Sequence, residues 1–591
     1  MGKTTVITHR TRNLIVREGV DPSRILVITF TRAAAGEMKE RFRQLMGSKK
    51  YPVTFGTFHA VFFQILKHAY GFHSGNIVKE EQRLQFMREI IKRMHLEYED
   101  ENEFIGELLG EIGLVKNTGI PLEHYYSRNC AKEVFEQIYR AYDDRMRKAR
   151  LIDFDDMLVY CHELFEQRKD ILSAWQRKFQ YILIDEFQDV NKIQFEIIKM
   201  LALPENNLFA VGDDDQSIYR FRGAKPELML GFRTAYPQAK QVFLDINYRS
   251  PEQIVQTSMQ LISHNTQRFE KKISAIPDNG SDRGMQRAGN VSYYLWKGQK
   301  EEGRAIIEKI LALHEAGYTY NDCAVLFRTN TQPRIFMSQL MAYNIPFRTR
   351  DNIPNLFEHW ITRDILTYIR LAMGSRSRKD VLAVMNRPNR YISRESLEEE
   401  TVAFDVWADY FYDKNQHWVA ERIEQLEADL RVLSRLGPFA AINYIRMGIG
   451  YEEYLREYAA YRCISADNLI EILDELQNGA KDFRDYEAWF LHMEEYTKEL
   501  KMELLKDCIS LSTFHSAKGL EFPIVHILDV NEELMPYKKA TLDADIQEER
   551  RMFYVGITRT RQELHIHSVQ KYNGRELDVS RFVEEMSNGR T

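Results

Sequence analysis

The sequence is poor in cysteine and has no long apolar run. Its 591 residues contain five cysteines (Cys130, Cys161, Cys323, Cys463 and Cys508), and no two of them form a CxxC pair. This spacing argues against a zinc ribbon or an iron–sulfur cluster and is typical of a reducing cytoplasm. No apolar run is long enough to cross a bilayer, and the N-terminus lacks the pattern of a signal peptide, so no membrane partner is expected.

Positive charge is also not in excess, which argues weakly against a nucleic-acid partner. Lysine and arginine number 81 against 87 acidic residues, and the formal net charge is −6 at pH 7. A nucleic-acid binder with this balance must concentrate its positive charge in a groove. The composition is otherwise that of an ordinary globular protein, and the length suggests roughly four domains. Internal repeats and low-complexity segments are absent from the sequence.

Short apolar segments alternate with helical stretches, which predicts an α/β fold with parallel sheets. The predicted strands are residues 25–30, 181–184, 208–211, 242–244, 291–295, 324–327, 509–514, 524–528 and 564–566. Residues 61–178 and 373–505 are helix-rich, and within the second stretch residues 418–436 have the spacing of an amphipathic helix. Two α/β domains, each interrupted by a helical insertion, are the simplest organisation. Residues 278–289 are predicted to form a loop.

Two neighbouring segments combine carboxylates with side chains that suit nucleotide chemistry. In the first, the apolar residues 182–184 are followed directly by Asp185 and Glu186. A buried parallel strand that delivers acids to the edge of a sheet has this pattern. One acid can hold Mg²⁺ through water while the other polarises an attacking water. The second segment, VGDDDQSIYRFRGA at 211–224, adds a glutamine and aromatics beside arginines. Together they predict an NTPase that contacts nucleic acid.

The string DEFQDVNKIQ at 185–194, followed by VGDDDQSIYRFRGA, resembles motifs II and III of the UvrD/Rep/PcrA family of superfamily 1 DNA helicases. Segments at 28–38, 57–59, 247–250, 513–522 and 548–559 resemble motifs Ia, Ib, IV, V and VI and stand in the family's order, so the resemblance covers nearly the whole chain. It implies two RecA-like P-loop motor domains, each with a helical insertion. The domains implied are 1A at residues 1–60 and 179–245, 1B at 61–178, 2A at 246–372 and 506–591, and 2B at 373–505.

The resemblance implies a site for ATP and Mg²⁺. In the sequence Gly2-Lys3-Thr4, the lysine would meet the β/γ-phosphates and the threonine hydroxyl the Mg²⁺. Asp185 would hold the metal ion and Glu186 would activate water. The other residues implied are the γ-phosphate sensor Gln216, the arginines Arg249 and Arg559, Tyr248 for adenine stacking, and Glu521 as a second-tier contact. Both arginines are expected in the second motor domain, from which they would reach the nucleotide when the cleft closes.

Only the end of the phosphate loop is present in the sequence. The strand and first glycine that precede Gly-Lys-Thr in the family, and its upstream glutamine motif, are not among the 591 residues. Glycines hold such a loop in a conformation that other residues resist. The chain as printed is therefore expected to bind ATP poorly and to hydrolyse it slowly, while its path for DNA remains.

The resemblance also implies a path for single-stranded DNA and for junctions between single and double strands. Its residues are Phe30, Thr31, Arg32, Thr57, Phe58, His59, Tyr219, Phe221, Arg222, Thr513, His515 and Lys518. Threonine hydroxyls at a helix N-terminus suit a phosphate, and the rings of Tyr219 and Phe221 offer faces on which bases can stack. Most relatives have tryptophan at the position of Phe221, so a weaker stack is expected. Phe58 fits a place in the core equally well.

These assignments predict an ATP-dependent DNA helicase that translocates on single strands with 3′–5′ polarity. The expected processes are DNA repair, recombination or replication restart, with repair proteins as possible partners. The expected location is the bacterial cytoplasm, at the nucleoid. A helicase–nuclease subunit of the RecB or AddA type shares the motor motifs but needs a long C-terminal nuclease domain, which this sequence lacks. A single-stranded DNA-binding scaffold with a crippled ATPase is the other alternative. ATP turnover stimulated by single-stranded DNA would separate motor from scaffold.

Overall fold

The chain divides into two compact units. A computed structural model describes residues 2–47, 49–94, 96, 101–276, 290–351, 353–462, 465–500 and 506–587. The first unit comprises Met1–Gly289, Ala540–Thr558 and Glu585–Thr591, and the second comprises Asn290–Lys539 and Arg559–Glu584. The loop predicted at 278–289 lies outside the described residues. Among those that are described, no helix combines the length and the apolar character that a membrane crossing requires.

Strands and helices alternate along much of the chain. The strands are β1 (Ile25–Thr29), β2 (Thr54–Thr57), β3 (Tyr181–Ile184), β4 (Leu208–Ala210), β5 (Ile246–Asn247), β6 (Ser274–Ala275), β7 (Asn290–Gly298), β8 (Cys323–Phe327), β9 (Phe347–Thr349), β10 (Ile509–Thr513), β11 (Phe522–Ile527), β12 (Thr560–Tyr572) and β13 (Arg575–Glu576). The first helices are α1 (Gly2–Val16), α2 (Arg32–Met46), α3 (Phe58–Tyr70), α4 (Glu80–Arg93), α5 (Glu101–Thr118), α6 (Lys132–Lys148), α7 (Phe154–Gln167), α8 (Lys169–Lys178), α9 (Lys192–Ala202), α10 (Pro226–Leu230), α11 (Phe232–Ala235) and α12 (Glu252–Ile262). The later helices are α13 (Gln299–Glu315), α14 (Arg334–Ala342), α15 (Trp360–Ala372), α16 (Arg378–Val384), α17 (Phe404–Asp413), α18 (His417–Leu433), α19 (Pro438–Asn443), α20 (Tyr451–Arg462), α21 (Ala466–Gly479), α22 (Tyr486–Glu499), α23 (Phe514–Ala517), α24 (Asp543–Ile557) and α25 (Arg581–Ser587).

The first unit is built on a parallel four-stranded sheet in the order β2-β1-β3-β4. All five residues of β1 are buried, as expected of a strand covered on both faces. Ile28 of β1 lies opposite Ile184 of β3, so these two strands end at the same level. Because the strands are parallel, their carboxyl ends share one edge, where the residues that follow β1, β3 and β4 come together. This confirms the predicted α/β class.

The strand predicted at residues 242–244 is wrong. The structure gives these residues no strand, and Val242 is 82% exposed. β4, at the end of the sheet, pairs only with β3. An apolar, β-branched segment becomes a strand only where a neighbour supplies ladder hydrogen bonds and a face to pack against. Residues 242–244 have no strand partner within the described part of the unit, although the Phe243 ring lies 6.0 Å from that of Phe269.

The second unit contains a sheet in the order β13-β12-β11-β8-β10-β9, with β7 paired to β12. Its pairs are parallel except the short antiparallel pair of β12 with β13. Helices α15 to α22 contribute to one apolar core of their own. Within it, α18 buries Val419, Ile423 and Leu430, which confirms the amphipathic helix predicted at 418–436. The division into four domains stays a prediction.

Two carboxyl groups, Glu302 and Asp529, are buried together in the second unit. Their residues are 3% and 1% exposed, and the Asp529 backbone N–H donates to Glu302 Oε1 at 3.1 Å. Asp529 Oδ1 has no hydrogen-bond partner among the described residues. Burial raises the pKa of Asp529 from its ordinary 3.8 to about 7, and burial followed by repulsion from Asp529 raises the pKa of Glu302 well above its ordinary value. At least one proton is therefore retained near neutral pH.

We expect Asp529→Asn to stabilise the second unit at pH 8. Because folding raises the pKa of Asp529 from 3.8 to about 7, its favourable contribution is complete below pH 3.8 and is lost as the pH approaches 7. The amide removes this dependence, so the gain in melting temperature over wild type should grow between pH 5.5 and pH 8. Glu308→Gln, an exposed position on α13, is the control. A melting temperature at pH 8 no higher than that of wild type would contradict the expectation.

Candidate nucleotide and DNA sites

Glu186 follows β3 in an unusual backbone conformation. Its φ of 52° and ψ of 41° lie in the left-handed region, which side chains other than glycine rarely adopt. Such strain costs on the order of 1–3 kcal/mol and persists only where the surrounding structure imposes it, commonly at functional sites. The result is a carboxylate held close to Lys3, whose Nζ donates to Glu186 Oε2 at 2.8 Å.

Asp185, the other acid of the pair, is 4% exposed. Its Oδ1 atom has no hydrogen-bond partner among the described residues. Burial, followed by repulsion from Glu186, raises the pKa of Asp185 to about 6. A buried, unpaired carboxylate oxygen beside a second acid is the kind of donor that Mg²⁺ prefers. The residues present therefore fit the metal ion that the sequence predicts.

Gly2, Lys3 and Thr4 lie in the first turn of α1. Burial alone would lower the pKa of Lys3, but attraction by Glu186, Asp213 and Asp185 outweighs burial and raises that pKa. Lys3 therefore stays positively charged and neutralises the acids at the end of the sheet. A phosphate placed here would compete with Glu186 for the same ammonium group.

A chain of hydrogen bonds links Glu186 to Gln216. Gln188 Nε2 donates to Glu186 Oε2 at 2.6 Å, and Gln188 Oε1 accepts from the Asp213 backbone N–H at 2.9 Å. Gln216 Nε2 donates in turn to Asp213 Oδ2 at 2.7 Å. Gln188 is fully buried, so these bonds are shielded from competing water. The structure thus brings together the predicted base and the predicted γ-phosphate sensor.

The two arginines implied by the resemblance lie in different units. Arg249 belongs to the first unit, as do Glu186 and Gln216, although the predicted division puts it in 2A. Its Nη1 donates to the Thr558 carbonyl at 3.1 Å, and the preceding Tyr248 is 53% exposed.

In the second unit, Arg559 is 1% exposed and its Nη1 donates to the Leu520 carbonyl at 3.3 Å. Glu521, the next residue along, lies 3.6 Å from Arg561 Nη1. Main-chain acceptors thus hold both predicted arginines, Arg249 and Arg559, in place.

An exposed aromatic and cationic cluster follows Gln216. The Tyr219 and Phe221 ring centroids are 6.0 Å apart, and the guanidinium of Arg222 lies 5.4 Å from each of them. Phe221 is 57% exposed. Aromatic faces beside a guanidinium are the features that bind successive bases and the phosphates between them. Phe221 is therefore available as a stacking surface.

The segments resembling motifs Ia and Ib each begin a helix. The hydroxyls of Thr31 and Thr57 accept backbone N–H groups as N-caps of α2 and α3. Phe58 is 1% exposed and packs 5.2 Å from Phe30, so its ring serves the core and cannot stack on a base. The DNA contact assigned to the Phe58 ring is therefore corrected. The neighbouring His59 has its pKa lowered by burial, which favours a neutral ring.

The segment resembling motif V lies at the end of β10 in the second unit. Thr513 donates through its hydroxyl to Asp351 Oδ1 at 2.9 Å and through its backbone N–H to Asp351 Oδ2 at 2.8 Å. The Ser516 hydroxyl donates to the same carboxylate. Asp351 thus fixes the short helix α23, which carries His515 and is followed by Lys518. Asp351 was not among the predicted site residues.

Sequence reasoning also missed Gln188 and Lys271. Gln188 stands inside the motif II string, but nothing in the string marks it as the link to Asp213. Lys271 contacts Asp213, Asp214 and Asp215. Three consecutive aspartates shortly after a predicted strand require a cation where they are buried, and that signal could have prompted a search for one.

Comparison with known proteins places the chain in a family. The model of the UvrD/REP helicase N-terminal domain matches residues 1–237, and that of the UvrD-like helicase C-terminal domain matches residues 242–571. YjcD of Bacillus subtilis (strain 168) is 31% identical over 98% of this chain and 77% of its own length. The ATP-dependent DNA helicase PcrA of the same strain is 31% identical over 96% of this chain and 79% of its own length. The chain belongs to the UvrD/REP family of DNA helicases.

Proposed function

We propose that this protein is an ATP-dependent DNA helicase that translocates 3′–5′ on single strands and serves DNA repair, recombination or replication restart. The observation that carries the proposal is the bonded path from Glu186 through Gln188 and Asp213 to Gln216. That path ends three residues before Tyr219, where the exposed aromatic cluster begins. Groups suited to hydrolysis and to base stacking therefore share one bonded segment of the first unit.

Each residue near the end of β3 has a role suited to its chemistry. Asp185 and Thr4 would hold Mg²⁺, which supplies charge neutralisation to the phosphates when it is bound with ATP. Lys3 binds the β/γ-phosphates after leaving Glu186, and the released Glu186 carboxylate accepts a proton from the attacking water. Tyr248 offers an exposed ring to adenine. In the second unit, Arg559 and Glu521 are the residues that the family resemblance assigns to the nucleotide.

The free-energy cost of separating DNA strands explains why a helicase must couple DNA binding to ATP hydrolysis. Each base-pair step lost costs about 1.4 kcal/mol of stacking, so unwinding must draw on nucleotide hydrolysis. The hydroxyls of Thr31, Thr57 and Thr513 lie at helix N-termini, where DNA phosphates are favoured. Tyr219 and Phe221 supply stacking with little sequence preference. Single-stranded DNA and junctions with duplex DNA are the proposed substrates.

Steady-state ATPase with and without poly-dT tests the proposal. The chain as printed and a version extended at its N-terminus with a complete phosphate loop are both assayed, and unwinding is compared on 3′-tailed and 5′-tailed duplexes. DNA-stimulated turnover in either version, with preference for the 3′ tail, is expected. Tight binding of single-stranded DNA without turnover in both versions would establish the scaffold alternative. One observation favours the scaffold alternative: the Lys3 ammonium group is bonded to Glu186 and is therefore not free for a phosphate.

Phe221→Ala should weaken binding to single-stranded DNA and slow unwinding more than it lowers basal ATP hydrolysis. It removes a 57% exposed ring that contacts no phosphate group, and stacking is worth about 1–3 kcal/mol per base. Fluorescence anisotropy with a labelled oligonucleotide measures the affinity. Tyr70→Ala, which removes another exposed aromatic ring of the first unit, is the control. Unchanged affinity and unchanged unwinding would remove Phe221 from the DNA path.

A further inference from the structure

Residues 265–271, named the strap here, connect α12 to the segment that enters β6 in the first unit. The strap contacts two parts of that unit that the motif assignments treat separately. One is the turn at residues 213–216, which carries the predicted γ-phosphate sensor. The other is α24, which belongs to the segment resembling motif VI. Neither the motifs nor the proposed function assigns the strap a role.

At its first end, the strap is bonded to α24 by neutral groups and by two arginines. Asn265 Nδ2 donates to the Gln547 carbonyl at 2.9 Å. The backbone N–H groups of Thr266 and Gln267 both donate to Gln547 Oε1 at 3.2 Å. Arg551 Nη2 donates to the Gln267 carbonyl at 2.8 Å. Gln547 and Arg551 are 3% and 5% exposed, so a shift of α24 would have to move the strap or break buried bonds.

At its second end, the strap holds three consecutive carboxylates. Arg268 donates to both oxygens of Asp215, at 2.8 and 2.7 Å. Lys271 Nζ lies 2.7 Å from Asp213 Oδ1 and 2.9 Å from Asp215 Oδ2, and it also pairs with Asp214. Asp214 and Asp215 are 1% and 0% exposed. Removing one partner of such a buried pair leaves an uncompensated charge, which is costly.

The position between the three carboxylates is filled by an ammonium group. Asp213, Asp214 and Asp215 lie close enough together to hold a metal ion. Lys271 Nζ contacts all three, so the lysine supplies the positive charge that a metal ion would otherwise bring. The three carboxylates and Lys271 therefore form an internal ion-pair cluster, named the junction here, which joins the strap to the turn at 213–216.

The junction connects the strap to the predicted sensor. Asp213 accepts from Lys271 at Oδ1 and from Gln216 at Oδ2, both at 2.7 Å, so the ammonium group fixes the carboxylate that positions the amide. A second link lies just beyond, where the Arg220 backbone N–H donates to Glu548 Oε1 of α24 at 3.3 Å. Chains of packed and bonded groups of this kind can carry coupling between sites.

We propose that the strap couples α24 to the turn at 213–216 and that Lys271 is the positioning residue that sets Gln216. The proposal rests on the helicase function proposed above. A displacement of α24 would be transmitted through Gln547 and the strap to Asp213, and from there to Gln216 and the aromatic cluster. Binding of single-stranded DNA and turnover of the nucleotide would thereby influence each other through the strap.

Lys271→Met tests this coupling, with Lys272→Met, an exposed neighbour, as the matched control. The quantity measured is the stimulation factor, defined as kcat with saturating poly-dT divided by kcat without DNA. Lys271→Met should lower this factor about tenfold, within the usual 5–150-fold range of coupling, with little change in the KM for ATP. Lys272→Met should leave the factor unchanged. Lys271→Arg, which keeps the charge, should recover part of it.

Gln547→Met removes the bonds that the Gln547 side chain makes to the strap, leaves no buried charge unpaired, and should lower the same factor. This variant decides the question if Lys271→Met melts below the assay temperature. Wild-type stimulation in either folded variant would overturn the strap proposal while the helicase proposal stands. Absence of stimulation in the wild-type chain, both as printed and extended, would instead overturn the helicase proposal.

Discussion

Glu186→Gln should reduce DNA-stimulated ATP turnover by about 10²–10⁴-fold, the usual contribution of a general base, while single-stranded DNA still binds. Amide and carboxylate are nearly isosteric, so the bond that Gln188 donates at 2.6 Å can be kept by the amide oxygen. Only the charge that accepts a proton from water is lost. The assay is steady-state ATPase with poly-dT, on whichever version of the chain shows turnover.

Two further measurements make this test specific to Glu186. Lys3 loses its anionic partner in the variant, so affinity for ATP should be kept or improved. Glu205→Gln, at an exposed position after α9, should leave the rate unchanged. A near-wild-type rate in Glu186→Gln would remove Glu186 as the base and leave Asp185 as the remaining acid at the end of β3.

Arg559→Ala should lower kcat by roughly 10³-fold or more if the guanidinium stabilises charge on the transferred phosphoryl group. Arginine suits this role because its charge is permanent and its planar fork matches phosphate oxygens. Arg559→Lys keeps the charge but loses the fork, so it should restore only part of the rate. Steady-state and single-turnover ATPase measurements with poly-dT report both variants.

Arg559 is only 1% exposed, so the test must separate catalysis from stability. Arg575→Ala is the control, because Arg575 is an arginine of the same unit, lies outside the predicted sites and has a side chain that is 71% exposed. Melting curves should show a folded second unit in all three variants. A folded Arg559→Ala protein with near-wild-type kcat would remove Arg559 from the groups that stabilise the transferred phosphoryl group.

The strands that carry the first site could be predicted because their signal is local. Residues 25–30 and 181–184 are continuous apolar runs, and both form buried parallel strands. Residues 242–244 have the same local signal but form no strand, since no partner strand lies beside them in the described part of the unit. Pairing depends on the rest of the sheet, and no short window of sequence contains that information.

The roles of individual side chains could likewise be predicted only where the signal is local in the sequence. Asp185 and Glu186 are neighbours in sequence, so their placement at the end of β3 followed from the pattern of the strand. Phe58 and Phe221 are the same residue type, yet one is 1% exposed and the other 57%, which tertiary packing alone decides. Lys271 is one basic residue among 81, and its partners lie more than fifty positions away.

The late position of α24 in the sequence affects how the first unit folds during synthesis. The strap ends at residue 271, and the helix that it binds begins at residue 543, so ribosomes must add roughly 270 residues between them. At about 5–20 residues per second, this takes on the order of 15–50 s. During that time Asn265 and the strap N–H groups lack Gln547, their partner in the finished fold. The nascent first unit therefore lacks these buried bonds until α24 has been synthesised.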